Sequence, residues 1–557
     1  MHRKLPLTVL LAAGVATAAL TGCGGSGTTP VPAVSSSSPS SNSSSSTPSN
    51  PLPTPAGQTD VATYRNDVGR TGADLTESVL TTANVNSSSF GLLRVLAVDG
   101  KVDAQPLYLS HLSIAGASHD VVFVATEHDS VYAFDAQTGA ALWQKSLLGS
   151  GESTSDDRGC SQVTPEIGVT STPVIDRSAG PNGAIFLVAM SMDGSGNYHQ
   201  RLHALDITTG GELFNGPQTV NPTHSSTAGG QKTFSPGQYK ERAALLLDNE
   251  TIYTGWTSHC DIQPYSGWIV GFSESTLAQT AVLNFAAGSD AGPSVWMSGG
   301  GLAADSAGSI YLITANGTFE TTQTSGGFPQ NGDYGNSILR LATTSGDLSV
   351  ADYFAPSNEV AESAADEDLG SGGAMLLPDV TDSGGVVRHL MVGGGKDGNL
   401  YVINRDDMGK FSPSSNADWQ ELDGALPGGI FSSPAYFNGT VYYGDVGGSL
   451  KAFTVSGAKL SSLPASVTTT QFEYPGAAPA VSANGTSNGI VWVVENSDPA
   501  VLHAYDAADL THELYNSTQA SDGRDNFGAG NKFITPTIAD GMVFVGTTNA
   551  VAVFGQR

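Results

Sequence analysis

Short stretches in which apolar and polar residues alternate run through most of the chain, from about residue 60 to the C-terminus. Glycine, asparagine and aspartate separate these stretches, and few segments show the spacing of an amphipathic helix. Alternation with a period of two, interrupted by turn residues, is typical of antiparallel strands with one buried face. The pattern therefore predicts a protein that is nearly all β.

One strand-turn-strand motif recurs along this region. It is clearest in VYAFDAQTGAALW, residues 131–143, and in LHALDITTGGELF, residues 202–214. Looser copies begin, in chain order, at Ile269, Ile338, Leu400, Leu450, Leu502 and Val551. The copies follow one another at intervals of about 50 to 70 residues, and such periods are typical of four-stranded propeller blades with inserted loops.

The two ends of the repeat region complement each other. The last unit has three strands and then reaches the C-terminus, whereas the segment SFGLLRVLAV, residues 89–98, precedes the first unit and has no hairpin partner of its own. We expect this segment to be the fourth strand of the last blade, because pairing the two ends removes an open sheet edge. The predicted fold is an all-β, eight-bladed β-propeller of four-stranded antiparallel blades, closed by an N-terminal strand.

The N-terminus has the form of an export signal. Residues 1–22 combine a basic start, an apolar run and small residues. The end of this segment and the following Cys23 resemble the bacterial lipobox, which implies a diacylated Cys23 and a membrane-anchored lipoprotein. Residues 23–58 are rich in serine and proline and predict a disordered tether, so the propeller is expected at 59–557. The expected location is the outer membrane, facing the periplasm or the cell surface.

Composition limits the partners. The formal net charge of −29 argues against binding to nucleic acid or to anionic membrane surfaces. With Cys23 assigned to lipid, Cys160 and Cys260 remain, and in an oxidising compartment we expect them to form a disulfide, with two buried thiols as the alternative.

The repeat resembles that of the pyrroloquinoline quinone (PQQ) propellers. The Asp-x-x-Thr-Gly-x-x-x-Trp pattern at 135–143 carries this resemblance, and the order of motifs over 311–411 is similar to that of the quinoprotein alcohol dehydrogenases. That resemblance implies PQQ and Ca²⁺ as cofactors, Asn316 as a calcium ligand, Asp368 as the catalytic carboxylate and Lys396 as the contact to the quinone. A lipidated propeller of the outer-membrane β-barrel assembly machine shares the repeat and binds no quinone.

Propeller geometry predicts that these three residues meet. Asn316 and Lys396 begin loops between the second and third strands of their units, and Asp368 lies in the connection between those units. Loops of both kinds open on the same face of a propeller. Several family features are absent, however: Ser195 stands where the calcium-ligand glutamate is expected, and there is no adjacent cysteine pair. Lys396 also fits a plain Lys-Asp-Gly turn.

Further polar and aromatic residues are expected on the same face. They are Glu166 in one connection and Trp256, His259, Asp261 and Trp268 in the segment WTSHCDIQPYSGW. Aromatic rings beside carboxylates suit a sugar-like ligand, but they also cap propeller loops. Three functions are compatible with the sequence: binding of a small molecule, glycan or protein on this face, a PQQ- and Ca²⁺-dependent alcohol or sugar dehydrogenase, and a scaffold for outer-membrane protein assembly.

Overall fold

The computed structural model describes residues 59–289, 292–344 and 347–557. The predicted signal peptide, Cys23 and the predicted tether lie outside these residues. Within the described part of the chain, no helix is long and apolar enough to cross a membrane.

Eight small antiparallel sheets follow one another along the chain, which confirms the predicted eight-bladed β-propeller. The four strands of blade 1 are Leu107–Ile114, Ala117–Ala125, Ser130–Asp135 and Ala141–Ser146. Those of blade 2 are Val174–Asp176, Ala184–Asp193, Tyr198–Asp206 and Gln218–Thr219. Those of blade 3 are Tyr239–Asp248, Thr251–Ser258, Trp268–Ser273 and Gln279–Asn284. Those of blade 4 are Ala303–Ala304, Ile310–Ile313, Ile338–Thr344 and Asp347–Phe354.

The second half of the ring repeats this order, and its last blade takes a strand from the start of the described chain. The strands of blade 5 are Met375–Leu376, Leu390–Gly393, Leu400–Asn404 and Gln420–Leu422. Those of blade 6 are Ala435–Phe437, Thr440–Tyr443, Gly448–Ser456 and Ser466–Phe472. Those of blade 7 are Ala480–Asn484, Ser487–Glu495, Val501–Asp506 and Glu513–Asn516. Those of blade 8 are Thr537–Ala539, Met542–Gly546, Ala550–Gln556 and, paired with the third, Phe90–Ala97.

Short elements decorate the blades. The additional strands are Ala73–Asp74, Glu152–Asp156, Glu166–Ile167, Thr223–Ser225, Gln231–Thr233, Val380–Thr381, Val387–Arg388 and Lys459–Leu460. An α-helix, Glu359–Ala365, connects blades 4 and 5, and 3₁₀ turns lie at Met297–Gly299, Leu369–Ser371 and Ser521–Gly523.

Burial along each blade explains the sequence pattern. In blade 1 the third strand, Ser130–Asp135, is buried at every position, whereas the fourth strand, Ala141–Ser146, is largely exposed. Neighbouring sheets stack on each other, so that Phe544 of blade 8 and Leu187 of blade 2 belong to the same apolar cluster as blade 1. Inner strands therefore read as continuous apolar runs, and outer strands as alternating ones.

The segment from Val61 to Gly72 contacts the innermost strands of successive blades. Its backbone pairs with blade 1 and accepts a hydrogen bond from blade 2. Val68, Gly69, Thr71 and Gly72 then accept hydrogen bonds from the first strands of blades 4, 5, 6 and 7. The segment thus supplies polar partners where the inner edges of the blades face the axis of the ring.

Two fully buried arginines hold this segment in place. Arg65 donates hydrogen bonds to the carbonyl oxygens of Pro434 and Pro479, at the starts of blades 6 and 7. Arg70 donates to the carbonyl oxygens of Leu302, at 2.8 Å, and Leu245, at 3.1 Å, from blades 4 and 3. Each guanidinium therefore links two blades through backbone carbonyl oxygens.

Candidate functional site

The structure brings together the three residues that the dehydrogenase resemblance singled out. The Lys396 ammonium contacts the carboxylate of Asp368 and lies 3.0 Å from Oδ2 of Asp366. The backbone N–H of Asn316 donates to Oδ1 of Asp368 at 3.0 Å, and its side-chain amide donates to Oδ1 of Asp366 at 2.7 Å. One lysine, two carboxylates and one amide thus form a connected cluster.

Tight backbone packing holds this cluster in register. Gly395, next to Lys396, lies against the backbone of Asp368, and a side chain there would collide with that carbonyl oxygen. The buried amide of Asn336 adds a second clamp, since it accepts from the Leu369 N–H at 3.0 Å and donates to the Glu367 carbonyl oxygen at 3.3 Å. The loop that carries Asp368 is therefore fixed on both sides.

Burial and charge act in opposite directions on the central pair. Burial raises the pKa of the Asp368 carboxyl above its usual value, although Lys396 opposes the rise. Burial lowers the pKa of the Lys396 ammonium, but Asp368 and Asp366 outweigh it and hold that pKa above its usual value. The ion pair with Lys396 favours the charged form of each group, so burial is the cause of the raised pKa of Asp368.

A cavity of about 480 Å³ opens beside the cluster. It lies between the loop after the second strand of blade 3, the corresponding loop of blade 4 and the helix Glu359–Ala365. Residues that line it include Asp261, Tyr265, Asn316, Phe319, Glu359 and Asp366. Its volume lies within the range of small-molecule sites.

The cavity wall carries a buried carboxyl. Glu359 is only 1% exposed, and its Oε1 accepts a hydrogen bond from Ser363 at 2.9 Å. Its Oε2 has no hydrogen-bond partner among the described residues. Burial raises the pKa of Glu359 to about 7. On the opposite wall, Tyr265 donates to Oδ1 of Asp261 at 2.8 Å, which orients that carboxylate.

The donor set of the cluster does not fit calcium. Ca²⁺ takes about six to eight oxygen ligands, but an ammonium already occupies the space between Asp366 and Asp368. Asp193, near the position of the missing glutamate, accepts from Asn197 and the Ser195 N–H in its own turn. Among the described residues, no group of three or more His, Cys, Asp or Glu side chains is arranged to hold a metal ion.

The structure corrects the expected position of the aromatic residues. Trp256 and Trp268 lie opposite each other on neighbouring strands of blade 3 and are completely buried with Phe234. His259 is 2% exposed, and burial lowers the pKa of its imidazole to about 3. These three side chains build the blade core and are not offered to a ligand, whereas Asp261 does line the cavity.

Two further predicted features lie away from the cavity wall. Glu166 accepts a hydrogen bond from Thr154 at 2.7 Å and lies 3.0 Å from Nδ1 of His128. Cys160 and Cys260 form a disulfide between loops that flank blade 2. The bridge spans 100 residues of sequence, so it ties together two separate parts of the rim.

The loop-rich face also carries a cluster of four aromatic rings that the sequence pattern did not predict. Trp296, Phe431, Tyr474 and Phe533 precede the first strands of blades 4, 6, 7 and 8, and they pack edge to face with ring centroids 5.4 to 6.0 Å apart. The guanidinium of Arg242 lies 5.3 Å from the centroid of Phe533. Phe431 and Phe533 each stand three residues before a strand-opening proline. This shared spacing is the sequence feature from which part of the cluster could have been predicted.

Comparisons with known proteins agree with the repeat and the fold. Residues 69–249 match the family model described as "Outer membrane protein assembly factor BamB". A quinohemoprotein alcohol dehydrogenase from Comamonas testosteroni has a similar structure, with a TM-score of 0.56 at 15% identity over 89% of this chain and 80% of that one. No curated protein sequence matches the chain.

Two other solved structures give the same result. The quinohemoprotein alcohol dehydrogenase ADHIIG from Pseudomonas putida HK5 has a TM-score of 0.55 at 12% identity, covering 89% of this chain and 80% of that one. A europium-containing methanol dehydrogenase has a TM-score of 0.54 at 14% identity, covering 89% and 98%. At such identities the likeness concerns the fold. The predicted resemblance to PQQ-repeat propellers is confirmed.

Proposed function

We propose, from the premise that the chain carries a PQQ-repeat propeller, that it binds a ligand or a partner group in the cavity on its loop-rich face. The observation that carries this proposal is the 480 Å³ cavity whose wall includes Asn316, Asp366 and a buried Glu359. We further propose that an export signal and lipid at Cys23 place the propeller in the cell envelope, where small molecules, glycans and proteins are all available.

Ligand binding can be tested by filling the cavity. Ala364 lines the cavity, whereas Ala361 is exposed on the same helix and does not line it. A panel of sugars, alcohols, amines and short peptides is screened by thermal shift, because a bound ligand raises the melting temperature by mass action. We expect at least one class to stabilise the wild type and Ala361→Trp but not Ala364→Trp. If no class binds, or if Ala364→Trp responds like the wild type, the proposal is wrong.

The residues do not support a PQQ- and Ca²⁺-dependent dehydrogenase as the first choice. Lys396 and Asp368 are in contact, as that function requires, but the ammonium occupies the space between Asp366 and Asp368, next to the predicted calcium ligand Asn316. We therefore expect that the full chain, incubated with PQQ and Ca²⁺ and then gel-filtered, retains no quinone absorbance and reduces no dye with alcohols or aldoses. Retained quinone with substrate-dependent dye reduction would restore the enzyme as the leading candidate.

Protein binding is a second candidate, favoured by the family match over residues 69–249. That part of the chain covers blades 1 and 2, the first strand of blade 3 and the strand Phe90–Ala97 of blade 8. A partner that binds the loop-rich face at these blades would contact the two loops that the Cys160–Cys260 disulfide joins.

A further inference from the structure

The cavity wall is acidic, and its charge is only partly compensated. Asp261, Glu359 and Asp366 line the cavity, whereas no lysine, arginine or histidine does so among the described residues. The Lys396 ammonium contacts Asp366 but also contacts Asp368, so one positive charge is shared between two carboxylates. A ligand that brings positive charge would therefore enter a favourable potential, which the net charge of −29 reinforces at longer range.

Glu359 gives a second, independent reason to expect a hydrogen-bond donor in the cavity. This side chain is 99% buried, lines the cavity and leaves Oε2 without a hydrogen-bond partner among the described residues. A buried polar atom without a partner costs free energy, and a ligand N–H would recover it. The other oxygen is held by Ser363, so the carboxyl has a defined orientation.

The remaining wall suits a short alkyl chain. Val360 is 58% exposed and lines the cavity together with the ring of Phe319. A metal ion would fit less well, because no three acidic, histidine or cysteine side chains among the described residues converge on one point. Acceptors spread around a partly apolar cavity are better matched by a group with several N–H donors on a carbon chain.

We propose that the cavity binds a primary alkylammonium group, with Asp261, Glu359 and Asp366 as acceptors and Val360 and Phe319 against the alkyl chain. This inference rests on the proposed function, since it names the chemical class of the ligand for the same cavity. The ammonium is carried either by a free amine or by the lysine side chain of a partner protein.

The test compares three probes of equal length on the purified full chain: n-pentylammonium, 1-pentanol and pentanoate, by isothermal titration calorimetry. We expect n-pentylammonium to bind at least about tenfold more tightly than either other probe, and Glu359→Gln or Asp261→Asn to weaken it by about tenfold. Glu250→Gln is the matched control, because Glu250 is exposed in the turn between the first and second strands of blade 3, at the opposite end of that blade. Nα-acetyl-lysine amide, tested in parallel, distinguishes a protein lysine from a free amine.

Two results would overturn the inference and leave the proposed function intact. The first is 1-pentanol or a neutral sugar binding as tightly as n-pentylammonium, with Ala364→Trp abolishing both. The second is n-pentylammonium affinity that Glu359→Gln and Asp261→Asn leave unchanged while their melting temperatures show that both variants fold. Failure of every probe in the wider panel would instead remove the proposed function itself.

Discussion

At the scale of single residues, Lys396 belongs both to a turn and to the polar cluster beside the cavity. It opens the turn between the second and third strands of blade 5, and its backbone N–H donates to the Asp368 carbonyl oxygen at 2.9 Å. Its ammonium joins Asp366 and Asp368, which would otherwise repel each other. The lysine is 24% exposed, so its charge is only partly screened by solvent.

We expect Lys396→Met to destabilise the protein by about 2 kcal/mol, because it leaves two neighbouring carboxylates without their cation. The free energy of unfolding in urea measures this effect. The double variant Lys396→Met with Asp368→Asn should recover part of the loss. Lys459→Met is the control, since Lys459 is exposed and its ammonium pairs with no carboxylate in the described part of the chain, only with the carbonyl oxygen and the ring of Trp419. Equal losses for Lys396→Met and Lys459→Met would contradict the role assigned to the cluster.

The tryptophans of blade 3 do not lie where the sequence pattern predicts. The segment WTSHCDIQPYSGW reads as a loop, because it contains turn-forming residues and lies between two apolar runs. In the structure the flanking strands extend into it, and Trp256 pairs with Trp268 across the sheet. Strand ends are set by pairing with the neighbouring strand, and a single sequence does not record that register.

At the scale of elements, blade 7 contains a histidine held between two glutamates. His503, on the third strand, lies 2.7 Å from Oε1 of Glu513 and 3.4 Å from Oε2 of Glu495, on the neighbouring strands. Burial lowers the pKa of His503, but the two glutamates outweigh it and raise the pKa above its usual value. The protonated imidazole therefore bridges three of the four strands of this blade.

The ion pairs of His503 in blade 7 should make the free energy of unfolding decrease as pH rises. Because the pKa of folded His503 is raised, its contribution is complete below the unfolded pKa of about 6.5 and is lost as pH rises through the folded value. We expect His503→Gln to cost about 2 kcal/mol at pH 6 and less at pH 9, measured by urea unfolding. His389→Gln is the control, since His389 is 42% exposed in its side chain. A loss for His503→Gln that grows with pH would contradict this assignment.

At the scale of the whole molecule, the N-terminal segment and the ring depend on each other. The described chain begins near blade 1, where Asp60 pairs with Arg177 of blade 2, and then follows the inner strands to blade 7. Ala73–Asp74 finally pairs in parallel with the first strand of blade 7. The cavity and the aromatic cluster lie among the loops that precede or join the strands, and none of residues 61–72 lines the cavity.

We expect Arg65→Ala to lower the free energy of unfolding by about 3 to 5 kcal/mol, because it removes the guanidinium donors to the carbonyl oxygens of Pro434 and Pro479 and empties the volume of a fully buried side chain. Arg388→Ala should cost less than about 1 kcal/mol, since Arg388 makes a partly exposed ion pair with Asp382. Urea unfolding of both variants measures the difference. A loss for Arg65→Ala no larger than that for Arg388→Ala would show that the segment is not needed to hold the ring.

The sequence by itself determined the number of blades and the placement of three polar residues on one face. Repeated strand-turn-strand units carry their own spacing, and blade topology then assigns each loop to an end of the ring, so the meeting of Asn316, Asp368 and Lys396 was predictable. Tertiary structure alone decided the rest. The axial path of residues 61–72, the four-ring aromatic cluster and the buried Glu359 depend on contacts between blades far apart in sequence, and such contacts leave no periodic pattern in the chain.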